Sequence, residues 1–278
     1  MLHHFTLPFR ISISVAIMLP TPSTSHVDYD RIYEPAEDSY LLLDTLSLPN
    51  ETAFLSARFA SSPAPLICEV GTGSGVVLAF VTANASTIFG RPDILSLGTD
   101  LNIFACQATS STVNRAIRDQ VQHNKDGFPG TAPHFLGAVN TDLTSALLPS
   151  QVDVLIFNPP YVPAPMPNLS DSALHHIGTG HMTGSEAFDR DSHLLSLSYA
   201  GGEDGMEVTN KLLEQLPDVL TPERGVAYVL LCAQNKPQEI AARVLSWPGR
   251  WTSEVVGSSG KKAGWEKLVV LRILRNPE

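Results

Sequence analysis

Short apolar runs alternate with helical stretches along the chain from Asp28 onward. The runs are rich in Val, Ile and Leu and are bounded by Gly, Pro or Asp, which predicts β-strands. The predicted strands are Leu66–Val70, Ile94–Gly98, Phe135–Val139, Val152–Phe157, Val226–Cys232 and Leu268–Leu274. The predicted helices are Ala36–Leu48, Val76–Ile88, Asn102–His123, Gly205–Leu220 and Gln238–Leu245. This alternation predicts an α/β fold in which helices cover both faces of a mainly parallel sheet.

The same pattern indicates one domain over residues 28–278, because it contains no repeat of fixed period and no linker. Residues 1–27 differ, since they contain no Asp or Glu and only one basic residue, Arg10. We expect this segment to be a disordered or targeting-like extension, because transit peptides are poor in acidic residues and rich in serine. Residues 163–198 form a Pro- and His-rich insertion that we expect to be a long loop. The irregular spacing of its histidines favours solvated side chains over a metal site.

Composition narrows the class of protein. The chain has 278 residues, of which 43% are hydrophobic and 17% charged, as is typical of a folded globular protein. Its 18 basic and 28 acidic residues give a net charge of −10, which argues against affinity based on nucleic-acid phosphates. Three cysteines without a C-x-x-C spacing argue against a disulfide framework and fit a reducing compartment. No apolar stretch approaches the length of about 20 residues that a membrane-spanning helix needs.

A glycine-rich segment follows the first predicted strand and begins a helix. It contains Glu69, Gly71, Gly73 and Gly75, a G-x-G-x-G spacing preceded by an acid. Glycines let the backbone turn tightly and let a ligand approach it closely. A dinucleotide-binding loop has the spacing G-x-G-x-x-G, whereas Val76 occupies the position of its third glycine here. Asp100 ends the second strand, about where an open α/β sheet places an acceptor for ribose hydroxyls. Taken alone, these residues are also compatible with an ordinary βα turn and a helix cap.

The fourth predicted strand ends in Asn158-Pro159-Pro160-Tyr161, at the edge of the sheet where such folds hold ligands. The two prolines fix the backbone and exclude a helix, so the Asn158 side chain and the adjacent carbonyl are held in place. These two oxygens can accept both hydrogens of a substrate –NH2 group and aim its lone pair at an electrophile. The nitrogen can lose its proton after the attack, so no strong general base is needed. The pattern predicts transfer of a group to an amide or exocyclic amine.

The glycine loop, the two acids and the Asn158–Tyr161 motif together resemble class I S-adenosylmethionine-dependent N-methyltransferases. The segment Tyr33-Glu34-Pro35-Ala36-Glu37-Asp38-Ser39-Tyr40, followed by three leucines, resembles the N-terminal motif of protein release-factor glutamine methyltransferases. Within that family, two further segments resemble the eukaryotic and archaeal branch, namely Tyr199-Ala200-Gly201-Gly202 and Asn235-Lys236-Pro237. The resemblance implies a Rossmann-like fold with a seven-stranded, mainly parallel sheet. It also implies N5-methylation of the glutamine in the Gly-Gly-Gln motif of a eukaryotic-type class 1 release factor.

The resemblance further implies which residues bind S-adenosyl-L-methionine. The N-terminal motif covers the cofactor, the glycine loop lines its methionine end, Asp100 accepts the ribose hydroxyls, and Asp142 and Leu143 border the adenine. The implied cofactor-binding residues are Ser39, Glu69, Gly71, Gly73, Gly75, Asp100, Asp142, Leu143 and Asn158. The implied catalytic residues, which hold the target amide, are Asn158, Pro159, Pro160 and Tyr161. The chain departs from the family where Tyr199 replaces a common Trp, and where its insertion is longer than usual.

Three other functions share part of this pattern. An adenine-N6 methyltransferase acts on the same kind of –NH2 group, but it needs cations near the site to hold phosphate. No Lys or Arg occurs between Lys125 and Arg190, the stretch that contains Asn158, and we see no additional domain to read or flip bases. Protein lysine methylation stays open as a second activity. A non-catalytic scaffold that only binds the cofactor is the third alternative.

The sequence also predicts a partner at one edge of the sheet. We expect the strand within residues 134–139 to lie at the end of the sheet, and it contains no Lys, Arg, Asp or Glu to protect an exposed edge. The resemblance implies a small zinc-binding activator subunit that adds a strand there and forms a heterodimer, with homodimerisation as the alternative. We expect no direct nucleic-acid binding, no membrane association and no metal bound to this chain. We expect the protein in the cytoplasm, with the nucleus as a second compartment.

Overall fold

The computed structural model describes residues 19–61, 63–123, 132–167, 184–260 and 267–276. The strands are β1 (Leu66–Val70), β2 (Leu95–Asp100), β3 (His134–Asn140), β4 (Val154–Phe157), β5 (Val226–Cys232), β6 (Trp251–Ser258) and β7 (Leu268–Arg275). They form one sheet in the order β3-β2-β1-β4-β5-β7-β6. Strands β1 to β5 run parallel, and β7 runs antiparallel to both of its neighbours. The predicted α/β fold with a mainly parallel, seven-stranded sheet is confirmed.

Helices precede the sheet and connect its strands. They are α1 (Glu37–Ser47), α2 (Pro49–Phe59), α3 (Val76–Ala83), α4 (Ala85–Ile88), α5 (Ile103–His123), α6 (Gly184–Ser196), α7 (Glu207–Val219) and α8 (Pro237–Leu245). Pro49 and Pro237 occupy the first turn of α2 and α8, where a helix does not use the N–H that proline lacks. Asn84 separates α3 from α4, and its side-chain amide donates a hydrogen bond to the Phe80 carbonyl at 2.8 Å.

The register of the central strands determines where the candidate site lies. Val70 at the end of β1 is level with Thr99 on β2 and with Phe157 on β4. Because these strands are parallel, the segments that follow them emerge at the same edge of the sheet. The glycine loop, Asp100 and Asn158 are therefore brought together there, as the sequence predicted.

The apolar core lies on both faces of the sheet, and the side chains of β5 contribute to both halves of it. Its residues are all buried and alternate between two clusters, with Tyr228 and Leu230 in one and Val229 and Leu231 in the other. The first cluster includes residues of α1, α2 and α3, and the second includes residues of α7 and α8. A strand covered on both faces needs apolar residues at every position, which explains the uninterrupted apolar runs in the sequence.

Several predicted elements differ from the observed ones. The prediction lacked β6 and α2, and it treated Val76–Ile88 as one helix where the structure has α3 and α4. Val152, predicted within the fourth strand, instead forms an isolated bridge with Leu220. The insertion was predicted to be a loop, but α6 occupies its second half. Residues 168–183, with His175, His176 and His181, lie outside the described residues, so the prediction for these histidines stays a prediction.

The N-terminal boundary also differs from the expected one. Residues 19–27 were assigned to the extension, yet Leu19 packs against the first core cluster. Nε2 of His26 lies 3.3 Å from Oγ1 of Thr112 on α5. Residues 1–18 lie outside the described residues. Among the residues that the structure describes, no helix is long and apolar enough to cross a membrane, and no three His, Cys, Asp or Glu side chains are grouped to hold a metal ion.

Candidate active site

A cavity lies at the carboxyl ends of β1, β2 and β4. Its walls come from the segment before α1, the glycine loop, the ends of β2 and β4, the turn after β3, and residues on and beside α6 and α7. The predicted site residues that line it are Ser39, Glu69, Gly71, Gly73, Asp100, Asp142, Leu143, Asn158 and Pro160. Gly75, Pro159 and Tyr161 do not line it. The fold thus brings most of the predicted residues around one space.

The glycine loop presents its backbone to this cavity. Gly73 has a φ of +51°, and a Cβ added there would meet no atom within 4 Å, so a ligand can approach the main chain closely. Gly75 has a φ of +77°, and a Cβ there would lie 2.6 Å from Cα of Thr109 on α5. Gly75 therefore permits the close packing of α3 against α5, and its expected role in cofactor binding stays a prediction.

Asp100 connects the glycine loop to the start of α5. Its Oδ2 accepts the N–H of Gly73 at 2.9 Å, and its Oδ1 accepts the N–H of Asn102 at 2.8 Å. Burial raises the pKa of the Asp100 carboxyl to about 6, and these N–H donors oppose the rise. Each carboxylate oxygen can accept a further hydrogen bond, so Asp100 retains the capacity to accept ribose hydroxyls.

Glu69 is a second carboxylate at this end of the cavity, and only 3% of its surface is exposed. Its Oε2 accepts the N–H of Leu78 in the first turn of α3 at 2.9 Å. Burial raises the pKa of Glu69 well above its usual value, the hydrogen bond from Leu78 opposes this rise, and the charge of Asp100 adds to it. Two neighbouring carboxylates favour a ligand that carries positive charge.

Asn158 carries an acceptor that no described residue satisfies. Its Oδ1 is buried without a hydrogen-bond partner, and the same is true of Oγ1 of Thr72 and Oγ1 of Thr99. All three residues line the cavity. Buried polar atoms in folded proteins are nearly always hydrogen-bonded, so three unsatisfied atoms around one cavity indicate a polar ligand.

The backbone after Asn158 is held by the segment that follows α6. The N–H of Val162 donates to the Tyr199 carbonyl at 2.9 Å, and the N–H of Gly201 donates to the Val162 carbonyl at 2.8 Å. A Cβ at Gly201 would collide with the Pro160 carbonyl oxygen, and a Cβ at Gly205 would collide with the Tyr161 carbonyl oxygen. Because only glycine permits this approach, the Tyr199–Gly202 motif and the Asn158–Tyr161 motif form one structural unit.

The N-terminal motif covers one side of the cavity. The Tyr33 hydroxyl donates to Oδ2 of Asp38 at 3.0 Å, and the N–H of Ser39 donates to Oδ1 of Asp38 at 2.6 Å. Asp38 and Ser39 are buried, and Tyr33 and Ser39 line the cavity. One carboxylate therefore organises this motif, and a contact between Ser39 and the cofactor stays a prediction.

The turn after β3 forms another part of the cavity wall. Leu143 is buried with a φ of +49°, and it lies beside Asp142 on the cavity wall. The hydroxyl of Thr144 donates to Oε1 of Gln215 at 2.5 Å, which connects this turn to α7. An apolar side chain next to a carboxylate suits an adenine ring, which is flat and carries an amino donor.

Two cations on the cavity wall were missed by the sequence analysis. Arg31 precedes the N-terminal motif, and Lys211 lies on α7, exposed and without an ion pair to a described residue. The cavity wall thus contains cations although the stretch around Asn158 has none, because Arg31 and Lys211 are remote from Asn158 along the chain. Lys211 follows the cavity-lining Val208 by three residues, and residues three apart lie on the same face of a helix. The periodicity of the predicted helix therefore places Lys211 on the same face as Val208.

Sequence relatives identify the family. No protein-family model matches the chain. The eRF1 methyltransferase catalytic subunit mtq2 of Schizosaccharomyces pombe is 32% identical over 261 residues, covering 93% of this chain and 96% of that protein. The human Methyltransferase HEMK2 is 33% identical over 263 residues, covering 92% of this chain and 97% of that protein. The chain belongs to the mtq2–HEMK2 methyltransferase family.

As a member of the mtq2–HEMK2 family, the chain is an S-adenosylmethionine-dependent methyltransferase. The cavity fits this cofactor by its own chemistry. Burial raises the pKa of Glu69 and of Asp100, and a ligand with a positively charged sulfur and an ammonium group would favour the ionised form of both carboxyls. Gly73 leaves room for that ligand against the backbone. The hydroxyl oxygens of Thr72 and Thr99, which have no hydrogen-bond partner among the described residues, belong to residues of the same cavity wall. The residues present would therefore hold the cofactor between the N-terminal motif and the turn after β3.

Proposed function

We propose that the chain methylates the N5 nitrogen of the glutamine in the Gly-Gly-Gln motif of a eukaryotic-type class 1 release factor. The observation that carries the proposal is the buried, unsatisfied Oδ1 of Asn158 beside the cofactor residues. An acceptor in that position suits the N–H of a primary amide. The name of mtq2 describes an eRF1 methyltransferase, which supports a release factor as the substrate protein.

The chemistry requires that a weakly nucleophilic amide nitrogen be held in one orientation. Asn158 Oδ1 accepts one of its N–H groups, and a main-chain carbonyl of the Asn158–Tyr161 motif accepts the other. The two prolines and the Tyr199–Gly202 segment keep these acceptors in place, so the rate gain comes mainly from positioning. When bound, S-adenosylmethionine supplies an electrophilic methyl group on a positively charged sulfur. The nitrogen gains this methyl group as the carbon–sulfur bond breaks, and it releases one proton to solvent.

The acidic surroundings make a nucleic-acid substrate unfavourable despite the two cavity cations. Arg31 pairs with Asp28 at 3.1 Å and with Asp191 at 3.5 Å, so its charge is already neutralised. That leaves Lys211 as the one cavity-lining cation without an ion pair to a described residue. Affinity for a phosphate backbone rests on several such cations, and the net charge of the chain is −10. We therefore propose that the chain does not bind nucleic acid directly.

Incubation with methyl-labelled cofactor tests the proposal. Separate reactions contain the release factor, the release factor with its Gly-Gly-Gln glutamine changed to leucine, DNA, or no acceptor. We expect label only in the unaltered release factor. Label in DNA would favour the adenine alternative, label in the leucine variant would point to lysine or another residue, and absence of label throughout would favour a scaffold.

We also propose that a small zinc-binding activator subunit pairs with β3. This strand lies at one end of the sheet, as predicted, and it exposes Leu136 by 56% and Val139 by 37%. An exposed apolar edge strand accepts an added strand, which would satisfy its open backbone groups. The name of mtq2 includes the words catalytic subunit, which supports an assembly of this kind. We place the assembly in the cytoplasm, with the nucleus as a second compartment.

Size-exclusion chromatography of the chain expressed with and without the activator tests this assembly. We expect a soluble heterodimer with the activator and a poor soluble yield without it. A stable and active monomer would contradict the proposal, and a stable homodimer would support the alternative.

A further inference from the structure

The described parts of the insertion, residues 163–167 and 184–198, supply part of the cavity wall. Met166 from its first part, and Leu194, Leu197 and Ser198 from and after α6, all line the cavity. Leu194 is 3% exposed, so the second half of α6 buries this side chain. The methyltransferase chemistry described above uses none of these side chains.

An ion-pair and stacking cluster attaches α6 to the segment that covers the cavity. Nη2 of Arg31 lies 3.5 Å from Oδ2 of Asp191, and Nη2 of Arg190 lies 2.7 Å from Oδ1 of the same aspartate. The guanidinium carbons of Arg31 and Arg190 lie 4.6 Å and 5.6 Å from the centroid of the Phe104 ring. Two arginines on one aromatic ring, with a carboxylate between them, join three chain segments at one point.

This cluster is connected by hydrogen bonds to a predicted cofactor ligand. The side-chain amide of Asn102 donates to the Arg31 carbonyl at 2.8 Å. The N–H of Asn102 donates to Oδ1 of Asp100 at 2.8 Å. Asp191 on α6 is therefore linked through Arg31 and Asn102 to Asp100, whose carboxylate we expect to accept the ribose hydroxyls.

We propose that α6 is a cofactor-retaining wall, held closed by the bridge between Arg31 and Asp191. In this role Arg31 and Asp191 are positioning residues, since they act through α6 and Asn102. Arg31 and residues on and beside α6 line the same cavity, so a bridge that holds these two segments together would slow the release of a ligand bound there. The proposal rests on the cofactor lying in this cavity and not on the identity of the methylated protein.

Release of labelled S-adenosylhomocysteine, the demethylated product of the cofactor, tests the proposal. The preloaded protein is mixed with excess unlabelled ligand, and the bound label is followed with time in the wild type, Arg31→Met, Asp191→Asn and the double variant. We expect each single change to accelerate release roughly three- to tenfold. Asp191→Asn acts through the loss of a partly exposed ion pair, and Arg31→Met removes the stacking on Phe104 as well. The double variant should release no faster than the faster single variant, because both changes break one bridge.

Three further variants and measurements separate this role from a general loss of structure. Glu254→Gln is the matched control. Glu254 lies on β6, at the edge of the sheet opposite β3, and its ion pair with Arg272 at 2.9 Å is also partly exposed. This variant should release ligand at the wild-type rate. Asp191→Glu keeps the carboxylate and should restore most of the retention. Hydrogen exchange in residues 190–198 should be slowed by bound ligand in the wild type and less so in Arg31→Met.

Unchanged release rates in both Arg31→Met and Asp191→Asn would overturn the proposal, as would effects that add in the double variant. These readouts need no release factor. A failure of glutamine methylation would therefore leave them intact, and their failure would leave the proposed reaction intact.

Discussion

Replacement of Asp100 by alanine should weaken cofactor binding through two losses. The ribose hydroxyls lose a charged acceptor, and the N–H groups of Gly73 and Asn102, now held at 2.9 and 2.8 Å, lose their common partner. A hydrogen bond to a charged group contributes about 1.5–3 kcal/mol, which corresponds to a rise of about ten- to a hundredfold in the dissociation constant.

Asparagine is not a neutral replacement at this position. Both carboxylate oxygens accept an N–H, so the –NH2 group of an asparagine must face one of two donors. We expect Asp100→Asn to weaken binding at least as much as Asp100→Ala. Titration calorimetry with S-adenosylhomocysteine measures both constants, and Asp44→Ala, which removes an exposed carboxylate from α1, serves as the control. A wild-type constant in Asp100→Ala would refute the assigned role.

The pH dependence supplies an independent check on the same residue. The ionised carboxylate is the better acceptor, and its pKa is raised to about 6, so affinity is retained above pH 6 and lost as the pH falls through it. We expect binding about tenfold weaker at pH 5 than at pH 8. Asp100→Ala should lose this component, and any dependence that remains belongs to Glu69, whose pKa is also raised. An equal pH profile in wild type and variant would contradict this assignment.

Three further changes test the packing and the edge of the sheet. Gly75→Ala strains a φ of +77° and forces a Cβ to within 2.6 Å of Thr109, so urea unfolding should show a loss of about 2–4 kcal/mol. Glu51→Gln removes the buried negative charge that pairs with Arg272 and leaves one acceptor oxygen where Arg272 and the Tyr228 hydroxyl now share two, so we expect a loss of about 2–3 kcal/mol with unchanged cofactor affinity. Leu136→Lys should raise the soluble yield of the chain alone and reduce its co-elution with the activator, since a charge on an exposed edge opposes strand addition.

The strands that carry the site were predictable because they are buried on both faces. The observed bounds of β1 and β5 match the predicted Leu66–Val70 and Val226–Cys232, since full burial produces uninterrupted apolar runs. In contrast, β6 is a half-exposed edge strand that includes Ser253, Glu254 and Gly257, so its sequence lacks such a run. Helix α2 was missed because Pro49-Asn50 is typical of a turn, although proline is also favoured in the first turn of a helix.

The motifs predicted most of the site, and long-range packing determined the rest. Asp100 and Asn158 follow strands, so the parallel sheet was enough to place them together. The resemblance implies a cofactor role for Gly75, and its close neighbour Thr109 on α5 adds a role in helix packing that the spacing of the glycines does not reveal. Arg31 reaches the cavity from a segment without regular structure, and α6 was hidden in a Pro- and His-rich insertion. Arg31 stands two residues before the N-terminal motif, but the path of that segment to the cavity depends on packing that the motif does not specify.

The account depends most directly on Asn158 holding the target amide. We would incubate the release factor with cofactor and either wild-type chain or Asn158→Ala, and analyse its Gly-Gly-Gln peptide by fragment-ion mass spectrometry. We expect one methyl group on the glutamine side chain with the wild type and at least about a hundredfold less with the variant, because a contact made chiefly in the transition state is lost. The variant should still bind S-adenosylhomocysteine with nearly the wild-type constant. Equal methylation by the variant, or a methyl group on another residue, would contradict the account.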